Sequence, residues 1–223
     1  MMATDITDDV LRAAVVQVGE GRGFVMEVEK RLLDSGTEVR CCDRVIVTAA
    51  HCLPKVPQAC SFMFDDERTE RDLIGPLGAA RSVWAQLLFV DPIADLAVLG
   101  QADSQQLPGR AEAYDAFVDS VEPFVLGSLP EGNAAVSVLS LDGRWISGRA
   151  DQIVGRLYLI LEEHIVAGMS GSPILDHQGA AIGVVSNTTE GPHVAASDRQ
   201  GPQPMLAREL PVWLVEALGR ARI

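Results

Sequence analysis

Three short stretches hold residue types that nucleophilic chemistry needs. The apolar run VIVTAAHC, Val45 to Cys52, passes into small residues and ends on His51 and Cys52. In DPIADLAVL, Asp91 to Leu99, Asp95 stands at the mouth of an apolar run, where a carboxylate is desolvated unless a partner meets it. In GMSGSPIL, Gly168 to Leu175, Ser170 lies between glycines that let the backbone turn sharply and approach a ligand closely. Taken singly, these are a histidine after a strand, a turn aspartate and a loop. Taken together, they supply a hydroxyl nucleophile, a base for its proton, an acid to orient that base, and main-chain N–H donors for an oxyanion.

Such groups must be positioned by a scaffold, and the rest of the chain reads as strands. Short apolar or alternating runs recur: AAVVQV, GFVMEVE, RVIVTAA, WAQLLFV, LAVL, PFVLG, AVSVLSL, LYLILEE, SPIL and AIGVVS. Turn-rich pieces such as EGRG, DPIAD, LPEGN, LDGRW and DHQGA separate them, the punctuation of antiparallel sheets rather than of βαβ units. An all-β fold is expected. The polar stretch from Gln101 to Phe117, with its Pro-Gly pair, reads as a connection between two strand-rich lobes, residues 1–112 with His51 and Asp95 and residues 113–223 with Ser170. In LARELPVWLVEALGRARI, Leu206, Leu210, Trp213, Leu214 and Leu218 fall at helical spacing, so a C-terminal amphipathic helix should dock on the body.

Composition narrows the function classes. The 223 residues are 48% hydrophobic and 22% charged, enough to fold around a substantial core without disulfide staples. A formal net charge of −13 repels phosphate backbones and anionic headgroups, so neither nucleic acid nor a membrane is an expected partner. The opening MMATDITDDV has no basic or apolar leader character and no later stretch is a membrane span, which gives a cytoplasmic expectation. Cys41, Cys42, Cys52 and Cys60 contain no CxxC pair, so they are read as reduced thiols, with no metal and no cofactor expected. The Asp65, Asp66, Glu67, Glu70 cluster lacks the glycine and spacing of a calcium loop.

The order His, Asp, Ser is that of chymotrypsin-type double barrels, and the G-x-S-x-G elbow of α/β-hydrolases is excluded because position 172 is serine. The chain resembles trypsin-like (chymotrypsin-fold) serine proteases of the stand-alone bacterial type related to HtrA protease domains. GRGFVMEV, VTAAHC, ADLAVL, GMSGSPIL and AIGVVS carry the resemblance, which runs from about residue 12 to 190. It implies a double antiparallel six-stranded β-barrel with a C-terminal helix, the two lobes together forming one peptidase domain. It implies His51 as base and then acid, Asp95 as its orienting carboxylate, Ser170 as nucleophile, and the N–H groups of Gly168 and Ser170 as oxyanion donors. Ser186 falls near Asp95, with Asn187 and Thr188 beside the specificity pocket and His164 at its base. That pocket would favour small or apolar side chains over Lys or Arg, unless Glu162 or Glu163 reaches it.

The departures from the family pattern carry information too. Secreted zymogens place an aspartate just before the nucleophile to receive a newly cut terminal amine; Met169 stands there, so that activation route is closed and the chain should need no N-terminal cleavage. The disulfide flanking the histidine in secreted members would pair Cys52 with an upstream cysteine such as Cys42, and in a reducing compartment it stays open. The expected function is a selective cytoplasmic endopeptidase acting on protein or peptide substrates, with activity rising through about pH 6–7.5 around the reference histidine value. The alternative is a latent or inactive protease-fold module or sensor, switched on by a regulatory or operon-encoded protein partner.

Overall fold

The computed structural model describes residues 8–34, 37–53, 72–128, 132–186 and 199–220, with backbone alone at 30–34, 37–42, 72–73 and 219–220. A short helix α1 (Asp8–Ala13) leads into β1 (Val15–Val18), β2 (Gly21–Asp34), β3 (Thr37–Thr48), β4 (Asp72–Pro76), β5 (Val83–Asp91) and β6 (Leu96–Gly100). These six strands close into an antiparallel barrel in the order β1-β2-β3-β6-β5-β4. A second antiparallel sheet follows, built from β7 (Ala134–Leu139), β8 (Trp145–Ile153), β9 (Arg156–Leu161), β10 (Pro173–Asp176), β11 (Ala181–Val184) and β12 (Gln200–Gln203) in the order β11-β10-β7-β8-β9-β12. Its edges meet where Gly183 bridges to Met205 and the Val184 N–H donates to the Pro204 carbonyl at 3.3 Å. The fold is a chymotrypsin-like double barrel, as the strand pattern and the motif order predict.

Side-chain alternation sorts the strands into three apolar layers. Along β9, Leu157, Leu159 and Leu161 point into the second barrel with Val136, Ile146 and Ile174, while the intervening residues are half-buried. In β2, Val25 joins Val16, Ile46 and Leu99 in one layer, whereas Phe24, Met26 and Val28 face the other way. The latter layer lies between the barrels: it unites β2 with Phe124, Leu126, Leu175 and Val184. At its centre Phe24 and Phe124 pack edge to face, ring centroids 5.8 Å apart. Strand β6 is buried along its whole length because it sits between two such layers, which explains why LAVL lacks polar alternation.

Two stretches differ from expectation. The presumed connection contains a helix, α2 (Pro108–Val118), and position 112 falls inside it. Pro108 suits a first helical turn, and Ala111, Tyr114 and Val118 form a narrow buried stripe that the surrounding polar residues conceal in the sequence. The Tyr114 hydroxyl donates to the Arg44 carbonyl at 3.0 Å and the Arg110 guanidinium stacks 3.7 Å above the Trp84 ring, so the helix belongs to the first barrel. At the other end the single expected helix is two, α3 (Leu206–Glu209) and α4 (Val212–Arg220), because Pro211 has no N–H to continue the ladder. Leu206, Leu210, Leu214 and Leu218 still form one buried stripe in the layer between the barrels, but Trp213 turns outward and is 59% exposed. Among the described residues no helix is long and apolar enough to cross a membrane.

Leu214 is 2% exposed, so Leu214→Ala should lower unfolding free energy by about 2–5 kcal/mol, whereas Trp213→Ala should cost less than about 1 kcal/mol. Urea unfolding of the two variants checks this; equal losses would contradict the assigned docking face.

Candidate active site

The histidine is set by the way β3 ends. Ala49 and Ala50 are fully buried in different apolar layers, which leaves no room for larger side chains and forces the chain into a single 3-10 turn, Ala50–Cys52. Cys52 N–H and Leu53 N–H close that turn on the carbonyls of Ala49 and Ala50 at 3.1 Å each. The His51 side chain is thereby turned outward, with 48% of its surface exposed. Cys52 is a free, buried thiol; the side chains of Cys41 and Cys42, and Cys60, lie outside the described residues.

Asp95 comes from the turn before β6. The Asp91 carboxylate accepts the N–H groups of Ile93 and Ala94 at 2.8 and 2.9 Å, a local side-chain turn that fixes the reversal. Asp95 then takes a left-handed conformation, φ +58°, which aspartate tolerates better than most residues. From the second barrel, Arg156 donates to the Ala94 and Ile93 carbonyls at 3.2 and 3.4 Å and holds the same turn. The carboxylate so aimed accepts three hydrogen bonds: His51 N–H at 2.9 Å, His51 Nδ1–H at 2.6 Å and Ser186 Oγ–H at 2.5 Å.

The serine loop is shaped by glycine and by an interior methionine. Gly171 has φ +83°, and a Cβ there would stand 1.7 Å from the Arg22 carbonyl oxygen, so no other residue fits. Gly168, φ +91°, turns the chain ahead of the serine. Between them Met169 is 1% exposed in the core of the second barrel, its sulfur 3.4 Å from the Val166 N–H. Met169 N–H donates to Val166 O, Ser172 N–H to Met169 O and Gly171 N–H to Val185 O. Among the described residues, the N–H groups of Gly168 and Ser170 donate to no protein acceptor, which leaves both free for an oxyanion.

His51, Ser170, Gly168 and Ser186 line one cavity of about 470 Å³ between the barrels, together with Glu20, Gly21, Cys52 and Ala167. Thus the structure brings together His51, Asp95, Ser170, Gly168 and Ser186. His164 is half-buried and is not among the residues lining that cavity. Glu163 is engaged elsewhere, paired with Arg144 at 3.0 Å on the surface, and Glu162 is exposed outside the cavity. Asn187, Thr188, His193 and the Asp65–Glu70 cluster lie outside the described residues; His177 is exposed in a turn. Gly21, Glu20 and Cys52 also line the cavity and are not evident from motif order; at Gly21 a Cβ would stand 2.7 Å from the Ser170 carbonyl oxygen, a closeness that no residue type announces.

Hydrogen bonding to Asp95 pushes His51 up to about 10, with a smaller push from the neighbouring Cys52 side chain and burial acting against both. Burial works to raise the Asp95 carboxyl, yet the hydrogen bonds from the His51 side chain, Ser186 and the His51 N–H outweigh it and hold it below the usual carboxylate value. These bonds favour the protonated imidazole in the resting site. The stabilising pair is complete above the ordinary carboxylate value of 3.8 and below the ordinary histidine value of 6.5; it fades as pH rises through about 10 or falls through the lowered Asp95 value. No hydrogen bond joins Ser170 Oγ to the imidazole among the described residues.

An NMR titration of the His51 imidazole should show a midpoint well above 6.5, and Asp95→Asn should return it toward that value. A wild-type midpoint at or below 6.5 would contradict the charge assignment. In comparison with known proteins, no protein-family model matches the chain and no curated protein matches it. Among solved structures it is similar to the apo crystal structure of the MamO protease domain from Magnetospirillum magneticum, at 16% identity and a TM-score of 0.49, covering 88% of this chain and 94% of that one.

Proposed function

We propose that the protein is a serine endopeptidase that cleaves selected protein or peptide substrates through an acyl-enzyme. Ser170 Oγ attacks the scissile carbonyl while its proton passes to His51 Nε2, and the resulting oxyanion accepts the N–H groups of Gly168 and Ser170. His51 returns that proton to the leaving amine as the peptide C–N bond breaks; water then attacks the acyl carbon by the same route and frees Ser170. The observation that carries this reading is the Asp95 carboxylate bonded at once to His51 and Ser186, at the cavity that Ser170 also lines. A cytoplasmic site of action and a regulatory protein partner complete the proposal, with no nucleic acid or membrane involved.

A second reading, a latent enzyme switched on by its substrate or a partner, is favoured by the protonated imidazole and by the missing Ser170–His51 hydrogen bond. Both readings place the working pH above the ordinary histidine range, because the base must be neutral to take the serine proton. The rise first expected at about pH 6–7.5 accordingly moves upward, toward the His51 value of about 10.

A fluorophosphonate probe should label Ser170 of the uncut chain, read by intact mass, faster as pH increases through 7 to 10 on the order of the histidine limb. Ser170→Ala should abolish labelling and His51→Ala should slow it by at least about 10³-fold. Labelling that persists in Ser170→Ala, or that requires clipping near the N-terminus, would overturn the proposal.

A further inference from the structure

Arg22 is the second residue of β2, just ahead of the apolar run Phe24–Met26, and is only 4% exposed. Its Nη1 donates to the carbonyls of Leu139 and Ser140 at 2.8 and 3.0 Å and lies 3.4 Å from Ser172 Oγ. Among the described residues no carboxylate lies within ion-pairing distance of it, and burial lowers its pKa without any charge partner opposing the shift. A guanidinium keeps its proton in proteins, so the interior holds a cation balanced only by carbonyl and hydroxyl dipoles. Such a group is costly to bury, and a leucine would fill a strand position at no electrostatic cost.

Its place explains what the cation does. The Arg22 main chain is already bound into the site: its N–H donates to the Ser170 carbonyl at 2.8 Å, and its own carbonyl accepts the Thr48 hydroxyl at 2.6 Å beside the start of the histidine turn. The side chain then reaches the end of β7, where Ser140 begins the turn that carries Leu141, and a Cβ on Gly168 would touch Leu141 at 3.4 Å. One residue therefore ties together the serine loop, the histidine strand and the turn backing Gly168. Met169, at the position preceding the nucleophile, is neutral and brings no charge to the loop.

We propose that Arg22 is a charge-bearing positioning residue of the oxyanion loop: through Ser172 Oγ and the Leu139 and Ser140 carbonyls its guanidinium fixes, from behind, the loop that carries the N–H donors of Gly168 and Ser170, and it brings there a positive charge that no carboxylate among the described residues pairs with. This rests on the peptidase reading above. A positive charge bonded to Ser172, two positions along the chain from Ser170, in an interior of low dielectric, favours the state in which the carbonyl oxygen becomes negative over the neutral bound state. Its effect belongs to the rate of acylation rather than to substrate binding.

The test compares Arg22→Met, which keeps length and removes charge, with Arg22→Lys, which keeps charge. In folded protein, Arg22→Met should slow fluorophosphonate labelling of Ser170 by roughly 10- to 100-fold. Carbethoxylation of His51 by diethyl pyrocarbonate, read site by site by mass spectrometry, should stay within about 2-fold because it needs no oxyanion hole. Arg22→Lys should recover most of the labelling rate. Unchanged labelling in Arg22→Met, equal loss in both variants, or parallel loss of His51 reactivity would each overturn the proposal. Should Arg22→Met not fold, Ser172→Ala decides: it removes the one side-chain hydrogen bond from the guanidinium to the serine loop, and an unchanged labelling rate there overturns the proposal. A wild-type chain that the probe never labels removes the peptidase reading itself, and this proposal with it; a labelled wild type with equally fast variants removes this proposal alone.

Discussion

The Asp95 carboxylate is the point on which the two barrels must agree. Its side chain is 23% exposed, and without partners it would be an expensive charge to keep at the head of a fully buried strand. Its donors come from both lobes: His51 at the end of β3 gives two, and Ser186 just beyond β11 gives the third. Moving either barrel by a fraction of a hydrogen-bond length breaks one of them. The left-handed backbone of Asp95 is a local cost of about 1–3 kcal/mol, offset by the Asp91 turn below it and by Arg156 reaching across from the second barrel.

Rigidity at that point comes from the apolar layer between the barrels. Phe24 and Phe124 lock β2 against the segment entering the second barrel, and the stripe Leu206, Leu210, Leu214 and Leu218 covers the same layer from the C-terminal end. The chain thus returns from the second sheet to clasp the first. Close-packed interiors do not deform gradually, so a loop seated on this layer has few alternative positions. The serine loop is held on two sides, by the close approach of Gly171 to the Arg22 carbonyl of β2 and by Met169 buried in the core of the second barrel.

What could be read in the sequence follows from how each feature is encoded. Strand content and the double barrel were legible because side-chain alternation and turn residues are local signals, clearest in RLYLIL and in the DPIAD turn. His51, Asp95 and Ser170 were legible as candidates because residue type and chain order single them out, and the structure brings them to one place. Helix α2 was not, since its buried stripe is three residues wide and the rest of it looks like a solvated linker. Pro211 was visible in the chain, yet the leucine spacing runs straight through it and only the structure shows the break. His164 stands six residues before Ser170, and chain spacing carries no information about how a loop folds; the side chain is half-buried and is not among the residues lining the cavity. Arg22 stood inside the GRGFVMEV stretch in plain view, but an arginine in a strand ordinarily marks a solvent-facing position, and its burial is decided by β7 more than 100 residues later.

Arg22 also separates two electrostatic scales in this molecule. The chain carries a formal charge of −13, but that charge belongs largely to the surface, where salt screens it beyond about 10 Å at 0.1 M ionic strength. At the site the Asp95 carboxylate is hydrogen-bonded to His51, and among the described residues the buried Arg22 guanidinium meets carbonyl and hydroxyl oxygens and no carboxylate within ion-pairing distance. A buried cation thus stands in the interior of a protein that is acidic as a whole. Net charge governs what approaches the molecule, whereas on the proposed reading the buried charge of Arg22 would act on the charge state of a bound carbonyl once water has been displaced. An acidic surface and a buried cation are compatible because they act across different distances and in media of different dielectric.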